Sequence, residues 1–248
     1  MSRAAVVLAA GRGTRMRSSR AKVLHELCGQ PLVAWVLRAV RPLVDRIVVV
    51  VGHEREAVAA AVRAAQPDAA IVVQHAQEGT GHALACAASA VAGAGTLLVL
   101  AGDVPGLRTA TISRLLEARE AVGAGAAVLT FRAADPAGYG RVLRDAEGNV
   151  KAIVEDRHCD DDERRVDECN SSTWAFDASA VLPLLPRLPR AAGGELYLTD
   201  IVPLLREEGR PVVPVEAPEA ELAGVNTPEQ LAGLEARWRS LRQADSGP

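Results

Sequence analysis

The feature that most limits the folds open to this chain is a series of short, continuously apolar runs, each followed by a longer segment with helical spacing. Ala4–Ala9, Ile47–Val51, Ile71–Val73 and Thr96–Leu100 are apolar at successive positions rather than alternate ones. Such a strand is buried on both faces, the situation of a parallel sheet with helices above and below it. Between them, Pro31–Val40 carries apolar residues at Leu32, Val33, Val36, Leu37 and Val40, with Pro at its start, and Glu54–Ala65 and Gly81–Val91 also read as helices. The runs end at Gly11, at Gly52-His53 and at Gly102-Asp103. The expected class is α/β, and 248 residues suit one large domain or one domain with a small appendage.

The second half changes style. Val128–Phe131 and Thr173–Phe176 read as strands, and Arg141–Val154 as a hairpin turning at Asp145–Asn149. The polar stretch from Glu155 to Glu168 reads as a surface excursion. Ala178–Leu185 and Leu198–Glu208 are helical, and Val212–Val215 is an edge strand because Pro214 cannot donate to a ladder. Thr227–Leu241 is a terminal helix capped by Thr227 with Pro228 at its first position, and Gln243–Pro248 reads as a frayed tail. No internal repeat is present, and in particular no six-residue period.

Composition narrows the function classes. With 49% hydrophobic and 24% charged residues the chain is not disordered, and with 3% aromatics its core is aliphatic. A net charge of −3, from 28 basic and 31 acidic residues, gives no basic field for nucleic acid. The run Ala4–Ala10 is too short for a signal peptide, and no stretch approaches a membrane span. Cys28, Cys86, Cys159 and Cys169 are too far apart for a zinc site or a disulfide framework, so reduced thiols and a cytoplasmic location are expected.

In open parallel sheets ligands bind at the carboxyl ends of the strands, and three polar features fall there. Gly11-Arg12-Gly13-Thr14-Arg15-Met16 lacks both the third glycine of a dinucleotide fingerprint and the Lys-Ser/Thr pair of a P-loop. It does interleave glycines with Arg12, Arg15, Arg17, Arg20 and Lys22, a pattern suited to polyphosphate. A solvated basic loop after a tight turn accounts for the same letters, and spacing alone does not separate the two. Asp103 is placed to hold Mg²⁺ against phosphate oxygens, or merely to cap the next helix. Gln74 and Gly79-Thr80-Gly81 suit a planar base lying on backbone, or a plain Thr80 cap. His53 and His82 read as structural, having no partner at ligand spacing. Gly138-Tyr139-Gly140-Arg141, Glu155, Asn170 and Asn226 are individually bland, being turn glycines, a surface acid and turn asparagines.

Taken in order, these pieces resemble one family. Leu8-Ala9-Ala10-Gly11-Arg12-Gly13-Thr14-Arg15-Met16 followed by Lys22-Val23-Leu24-His25 resembles the signature of sugar-1-phosphate nucleotidyltransferases. Gln74, Gly79–Ala83, Gly102-Asp103-Val104-Pro105, Gly138–Arg141, Ile153-Val154-Glu155, Glu195–Asp200 and Gly224-Val225-Asn226 extend the likeness to the uridyltransferase half of the bifunctional bacterial enzymes that make UDP-N-acetylglucosamine. The resemblance runs from about Ala5 to Leu241. It implies a Rossmann-like nucleotidyltransferase fold, a mixed, mainly parallel sheet flanked by helices, with a smaller β-rich portion for the sugar. It implies UTP and N-acetylglucosamine 1-phosphate as substrates, UDP-N-acetylglucosamine and pyrophosphate as products, and a place in peptidoglycan and cell-wall synthesis.

By the same resemblance Leu8, Ala9, Ala10, Gly11, Gly13 and Gly102 contact substrate, and Arg15 and Lys22 neutralise the transferring phosphoryl group. Gln74, Gly79 and Thr80 read uracil, Gly140, Glu155 and Asn170 hold the sugar, and Asp103 and Asn226 hold Mg²⁺. A relative using another nucleotide or sugar phosphate, and a non-catalytic nucleotide-sugar sensor, are the competing readings. The chain departs from the family pattern at Ala21, where Pro is usual, at Ala101, where an aromatic is common, and at Asn170-Ser171-Ser172, where Asn-x-Gly is usual. The expected organisation is one nucleotidyltransferase domain over residues 1–242, a flexible tail over 243–248 and no hexapeptide-repeat acetyltransferase domain. A monomer or weak oligomer is expected, with no nucleic-acid or membrane partner.

Overall fold

In the computed structural model, which describes residues 2–245, the chain first forms β1 (Arg3–Ala9), β2 (Glu26–Leu27), β3 (Gln30–Pro31), α1 (Leu32–Val40), β4 (Arg46–Val51), α2 (Arg55–Ala65), β5 (Ala70–Val73), α3 (Thr80–Ala87), β6 (Thr96–Ala101) and α4 (Thr109–Ala121). It continues with β7 (Ala126–Arg132), β8 (Arg141–Arg144), β9 (Val150–Val154), β10 (Glu168–Asp177), α5 (Ala178–Val181), α6 (Ile201–Glu207), β11 (Val212–Glu216), α7 (Glu219–Leu222) and α8 (Pro228–Asp245). The main sheet has the order β11-β7-β10-β6-β1-β4-β5, with the β8–β9 hairpin attached to β10. β6, β1, β4 and β5 are mutually parallel, and β10 runs antiparallel to both of its neighbours, β6 and β7. This is the mixed, mainly parallel α/β sheet expected, with the hairpin as its smaller β-rich part.

β1 shows why the apolar runs had to be central. Val6 and Val7 are both fully buried, yet they enter different cores. Val7 packs with Val33 and Leu37 of α1, Val58 of α2 and Ile112 of α4. Val6 packs with Leu84 of α3 and Ile201 of α6. Successive strand residues point to opposite faces, so only a run without polar interruptions satisfies both layers. Burying one such side chain contributes about 1.5 to 3 kcal/mol.

The sequence reading did not assign β2, β3 or α7, and three larger elements also differ from it. α4 fills a stretch to which no helix was assigned; its buried Ile112, Leu115 and Leu116 form only a narrow stripe among Arg and Glu. α8 continues through Asp245, past the point where the frayed tail was expected to begin, and residues 246–248 of that tail lie outside the described residues. β10 spans ten residues rather than four, so Asn170 lies inside the strand and not before it. Polar residues obscured its first half: Glu168, Asn170 and Ser171 are all buried there.

That first half contains a bulge. The register with β7 shifts between Asn170 and Trp174, and Ser172 has φ 58°. Asn170 Oδ1 accepts from the Ser172 N–H at 2.9 Å, and the Ser171 hydroxyl donates to the Leu129 carbonyl at 2.8 Å. Ser172 therefore adopts the left-handed backbone that glycine takes without cost. Ser172→Gly is expected to raise stability by about 0.5 to 1 kcal/mol, relief of backbone strain outweighing the added freedom of the unfolded chain. A chemical-denaturation midpoint at or below that of the parent would show that the local hydrogen bonds already remove the strain.

Candidate active site

A cavity of about 460 Å³ opens at the carboxyl ends of β1, β5 and β6. Leu8, Ala9, Ala10, Gly11, Arg12, Arg15, Lys22, Gln74, Gly79, Thr80, Asp103, Gly140, Glu155, Asn170 and Asn226 all line it. The expected site residues thus meet in one place, with two exceptions. Gly13 and Gly102 do not line the cavity and support it from behind. Gly13 has φ 64°, and a Cβ there would lie 2.5 Å from Lys22 Cβ. The Gly102 N–H donates to the Leu8 carbonyl at 2.9 Å. Of the cationic loop, Arg17 and Arg20 likewise do not line the cavity, and Arg20 faces Glu26 at 3.5 Å.

The cationic end is built from three distant segments. Lys22 Nζ forms an ion pair with the Asp103 carboxylate and donates to Asn226 Oδ1 at 3.0 Å. Arg15 donates to the same Asn226 oxygen at 2.9 Å. Gly138, at φ 81°, leaves room for this guanidinium, since a Cβ would sit 2.6 Å from Arg15 Nη1. The Val225 N–H donates to the Asp103 carbonyl at 2.9 Å, which ties the Asn226 turn to the end of β6. Gln230 Oε1 accepts from the N–H groups of Asn226 and Thr227 at 2.8 and 3.1 Å, and Thr227 Oγ1 accepts from the Gln230 N–H at 3.2 Å. This reciprocal cap starts α8 and fixes Asn226. Asp103 is therefore an ion-pair partner rather than a helix cap, and Asn226 is more than a turn residue.

Asp103 and Asn226 direct two oxygens at one positive charge, the Lys22 ammonium. Oxygen donors suit a hard divalent cation, and one carboxylate plus one amide oxygen suits a cation completed by phosphate oxygens and water. The donor set fits a divalent metal ion. Among the described residues no group of three or more His, Cys, Asp or Glu is assembled to hold a metal without such help.

At the other wall, Gln74 is buried and its Nε2 donates to the Gly79 carbonyl at 3.0 Å. Gly79 has φ 95°, and a Cβ there would lie 2.5 Å from the Leu196 carbonyl oxygen. Thr80 Oγ1 accepts from the Leu198 N–H at 3.0 Å, so Thr80 fastens α3 to the 190s segment rather than capping the helix. His82 Nδ1 lies 2.9 Å from the Ala76 carbonyl and 3.2 Å from Gln74 Nε2, a structural position. The third group gathers on the hairpin side: the Gly140 carbonyl accepts from the Asn170 N–H at 2.9 Å, and Glu155 Oε1 accepts from the Thr199 hydroxyl at 3.1 Å.

Tyr139, Ser171 and Ser172, named in the sequence reading but given no role at the site, also line the cavity, as does Gln77. Tyr139 packs edge-on against Phe131, with 5.1 Å between centroids. Burial and then the nearby Asp103 charge push its hydroxyl pKa up. Its place between two glycines of a quoted motif was the available signal; Gln77 had none.

A mixed α/β sheet with a glycine-rich cationic loop, a carboxylate and an amide at the strand ends defines the nucleotidyltransferase type of fold. Residues 5–168 match the MobA-like NTP transferase domain, and the chain belongs to that family. It is 46% identical over 237 residues to the "Bifunctional protein GlmU" of Thermobifida fusca (strain YX), covering 92% of this chain and 49% of that protein. The corresponding protein of Mycolicibacterium vanbaalenii is 46% identical, covering 94% of this chain and 49% of the relative, and that of Ruegeria sp. (strain TM1040) is 43% identical, covering 99% and 55%. The chain thus spans about half the length of these relatives. A crystal structure of UDP-glucose pyrophosphorylase complexed with UDP-glucose superposes with a TM-score of 0.78, covering 97% of this chain and 99% of that one, at 14% identity.

Burial, countered in part by the Thr199 hydrogen bond, raises the Glu155 pKa. A raised folded-state pKa favours folding below the unfolded value and loses that contribution as pH rises through the folded value. Glu155→Gln keeps an acceptor for Thr199 and carries no charge. It is expected to melt above the parent at neutral pH, with the difference shrinking as pH falls below the ordinary glutamate range. A difference independent of pH would exclude Glu155 as the titrating group.

Proposed function

We propose that this chain joins UTP and N-acetylglucosamine 1-phosphate, releasing pyrophosphate and leaving UDP-N-acetylglucosamine, with Mg²⁺ as the metal. The single observation that carries the reading is the convergence of Arg15, Lys22, Asp103 and Asn226 at one end of a cavity whose other walls hold Gln74 with Gly79 and Glu155 with Asn170. The GlmU relatives support it, because they match this chain over nearly its whole length.

The chemistry asks little of acid–base groups. A sugar phosphate is already anionic at neutral pH, so one of its oxygens attacks the α-phosphorus directly. The new P–O bond forms as the bond from the α-phosphorus to the bridging oxygen breaks, and pyrophosphate departs with that oxygen. Catalysis then consists of alignment and charge compensation. Arg15 and Lys22 offset negative charge on the phosphates, and the loop from Gly11 keeps its backbone close to them. Gly13 and Gly102 act from behind, by giving Lys22 and the end of β1 their room. Asp103 and Asn226 would hold Mg²⁺, which supplies a further positive charge to the phosphate oxygens.

Gln74 lines the cavity and its Nε2 is engaged by Gly79, so its Oε1 is the atom of that amide left to accept from a base. Uracil presents an N3–H there, whereas cytosine presents a lone pair. Each buried mismatch costs about 1 to 3 kcal/mol, a factor of ten or more. Glu155, Asn170 and Gly140 form the sugar side. The product places the chain in the supply of cell-wall precursors in the cytoplasm, acting as a monomer or weak oligomer.

The test is pyrophosphate release with UTP, dTTP and CTP, each with N-acetylglucosamine, glucose and glucosamine 1-phosphates. UTP with N-acetylglucosamine 1-phosphate should give the highest kcat/KM. A best pair without UTP would overturn the uridyltransferase reading, and UTP with glucose 1-phosphate would overturn only the N-acetyl part. Asp103→Ala should lower kcat by at least about a hundred-fold while keeping the far-UV spectrum. Near-parental turnover by that variant across Mg²⁺ concentrations would remove Asp103 from the metal.

A further inference from the structure

Between Gly11 and Lys22 the chain makes an excursion that carries both phosphate-facing cations, and two residues after β4 hold its backbone at both ends. The His53 N–H donates to the Ala10 carbonyl at 3.1 Å, at the start of the excursion. The His53 ring Nε2 lies 3.1 Å from the Ser19 carbonyl, near its far end. The Glu54 carboxylate accepts from the N–H of Ala21, the residue immediately before Lys22. Ala21 is fully buried, with its methyl in the core beside Val23 and Leu24. Its N–H has the Glu54 carboxylate as partner, while the loop's own short-range bonds go elsewhere, as in Leu24 N–H to the Ala21 carbonyl at 2.9 Å.

Glu54 itself sits at φ 47°, in the left-handed region, where a residue with a Cβ is strained. Nothing in α2 uses its carboxylate as a cap. A strained, exposed residue whose carboxylate reaches one buried N–H is placed by that contact.

We infer that Glu54 is a positioning residue: by holding the Ala21 N–H it fixes the backbone from which Lys22 reaches Asp103 and Asn226. It touches no phosphate and is not catalytic. The inference rests on the proposed nucleotidyl transfer only for its kinetic readout. Ala21 has φ −54° and ψ 135°, values that proline adopts. Proline at this position would restrain the same backbone by its ring and would have no N–H to satisfy. The chain therefore obtains through a side chain across the loop what a ring would obtain locally.

This makes a double-mutant cycle decisive. Glu54→Ala keeps a Cβ and hence the same backbone strain, and loses Cγ with the carboxylate. It should lower kcat/KM for pyrophosphate release about ten-fold by releasing the backbone that carries Lys22, and lower the melting temperature by a few degrees because a buried donor is left unpaired. Glu54→Gln, which retains an accepting oxygen, should recover most of that loss. Ala21→Pro should keep parental turnover, and in that background Glu54→Ala should have no effect. Independently of activity, hydrogen exchange at the Ala21 amide should be slow in the parent and fast in Glu54→Ala.

If the parent itself releases no pyrophosphate, the proposed reaction fails while the exchange result still judges Glu54. An Ala21 amide equally protected in Glu54→Ala would overturn the positioning role. So would parental kcat/KM in Glu54→Ala, or an undiminished loss in the proline background.

Discussion

The Lys22 ammonium, held by the Asp103 carboxylate and the Asn226 amide oxygen, is the contact on which the site depends. Lys22 and its two partners come from the loop after β1, the end of β6 and the start of α8. No local sequence determines that meeting; only the sheet order, which sets β6 beside β1, and the docking of the last helix bring it about. α8 is anchored beyond its first turns as well: Trp238 meets Trp35 of α1 edge-to-face at 4.8 Å between centroids, beside the small cluster of Leu27, Leu32, Met16 and Val225. Arg38 lies 4.7 Å above the Trp35 ring and closes this seam. Packing remote from the cavity thus orients Asn226 within it.

Charge and backbone geometry divide the labour around the cavity. The cationic end is arranged by ion pairs and an asparagine, and the opposite wall by glycine. Gly79 is required by both φ and the closeness of the Leu196 carbonyl, which allows the backbone to form the floor on which a planar group can rest. On the hairpin side, buried polar groups satisfy one another: Asn170 with Ser172, Ser171 with Leu129, and Glu155 with Thr199. Such internally satisfied networks hold a wall rigid.

Much of the fold was legible because β1, β4 and β6 each carry an unbroken aliphatic run, which few arrangements can bury. β10 was half hidden because Asn170 and Ser171 look like loop residues and are buried through hydrogen bonds that sequence does not display. α4 was missed because its buried stripe is narrow. At the site, the glycine loop, Gln74, Asp103 and Asn226 stood out once read in order, while Gln77 and the structural part played by Gly13 depend on distances between segments. The departures also became intelligible. Ser172 occupies the left-handed position that glycine usually fills, and Ala21 brings an N–H that Glu54 receives.

Strand β10, antiparallel to both β6 and β7, has a consequence for how such a chain reaches its native state. β6 pairs on one side with β1, which precedes it, and on the other with β10, through Trp174 opposite Val99 and Phe176 opposite Leu97. Everything between, from α4 through the β8–β9 hairpin, must be made before that second ladder can close. Until then Thr96–Ala101, an apolar strand, presents a bare row of amides and carbonyls, the kind of edge on which chains associate wrongly. The order of strands therefore assigns β10 the work of sealing the nascent sheet, and ties the rate of folding to a pairing far apart along the polypeptide.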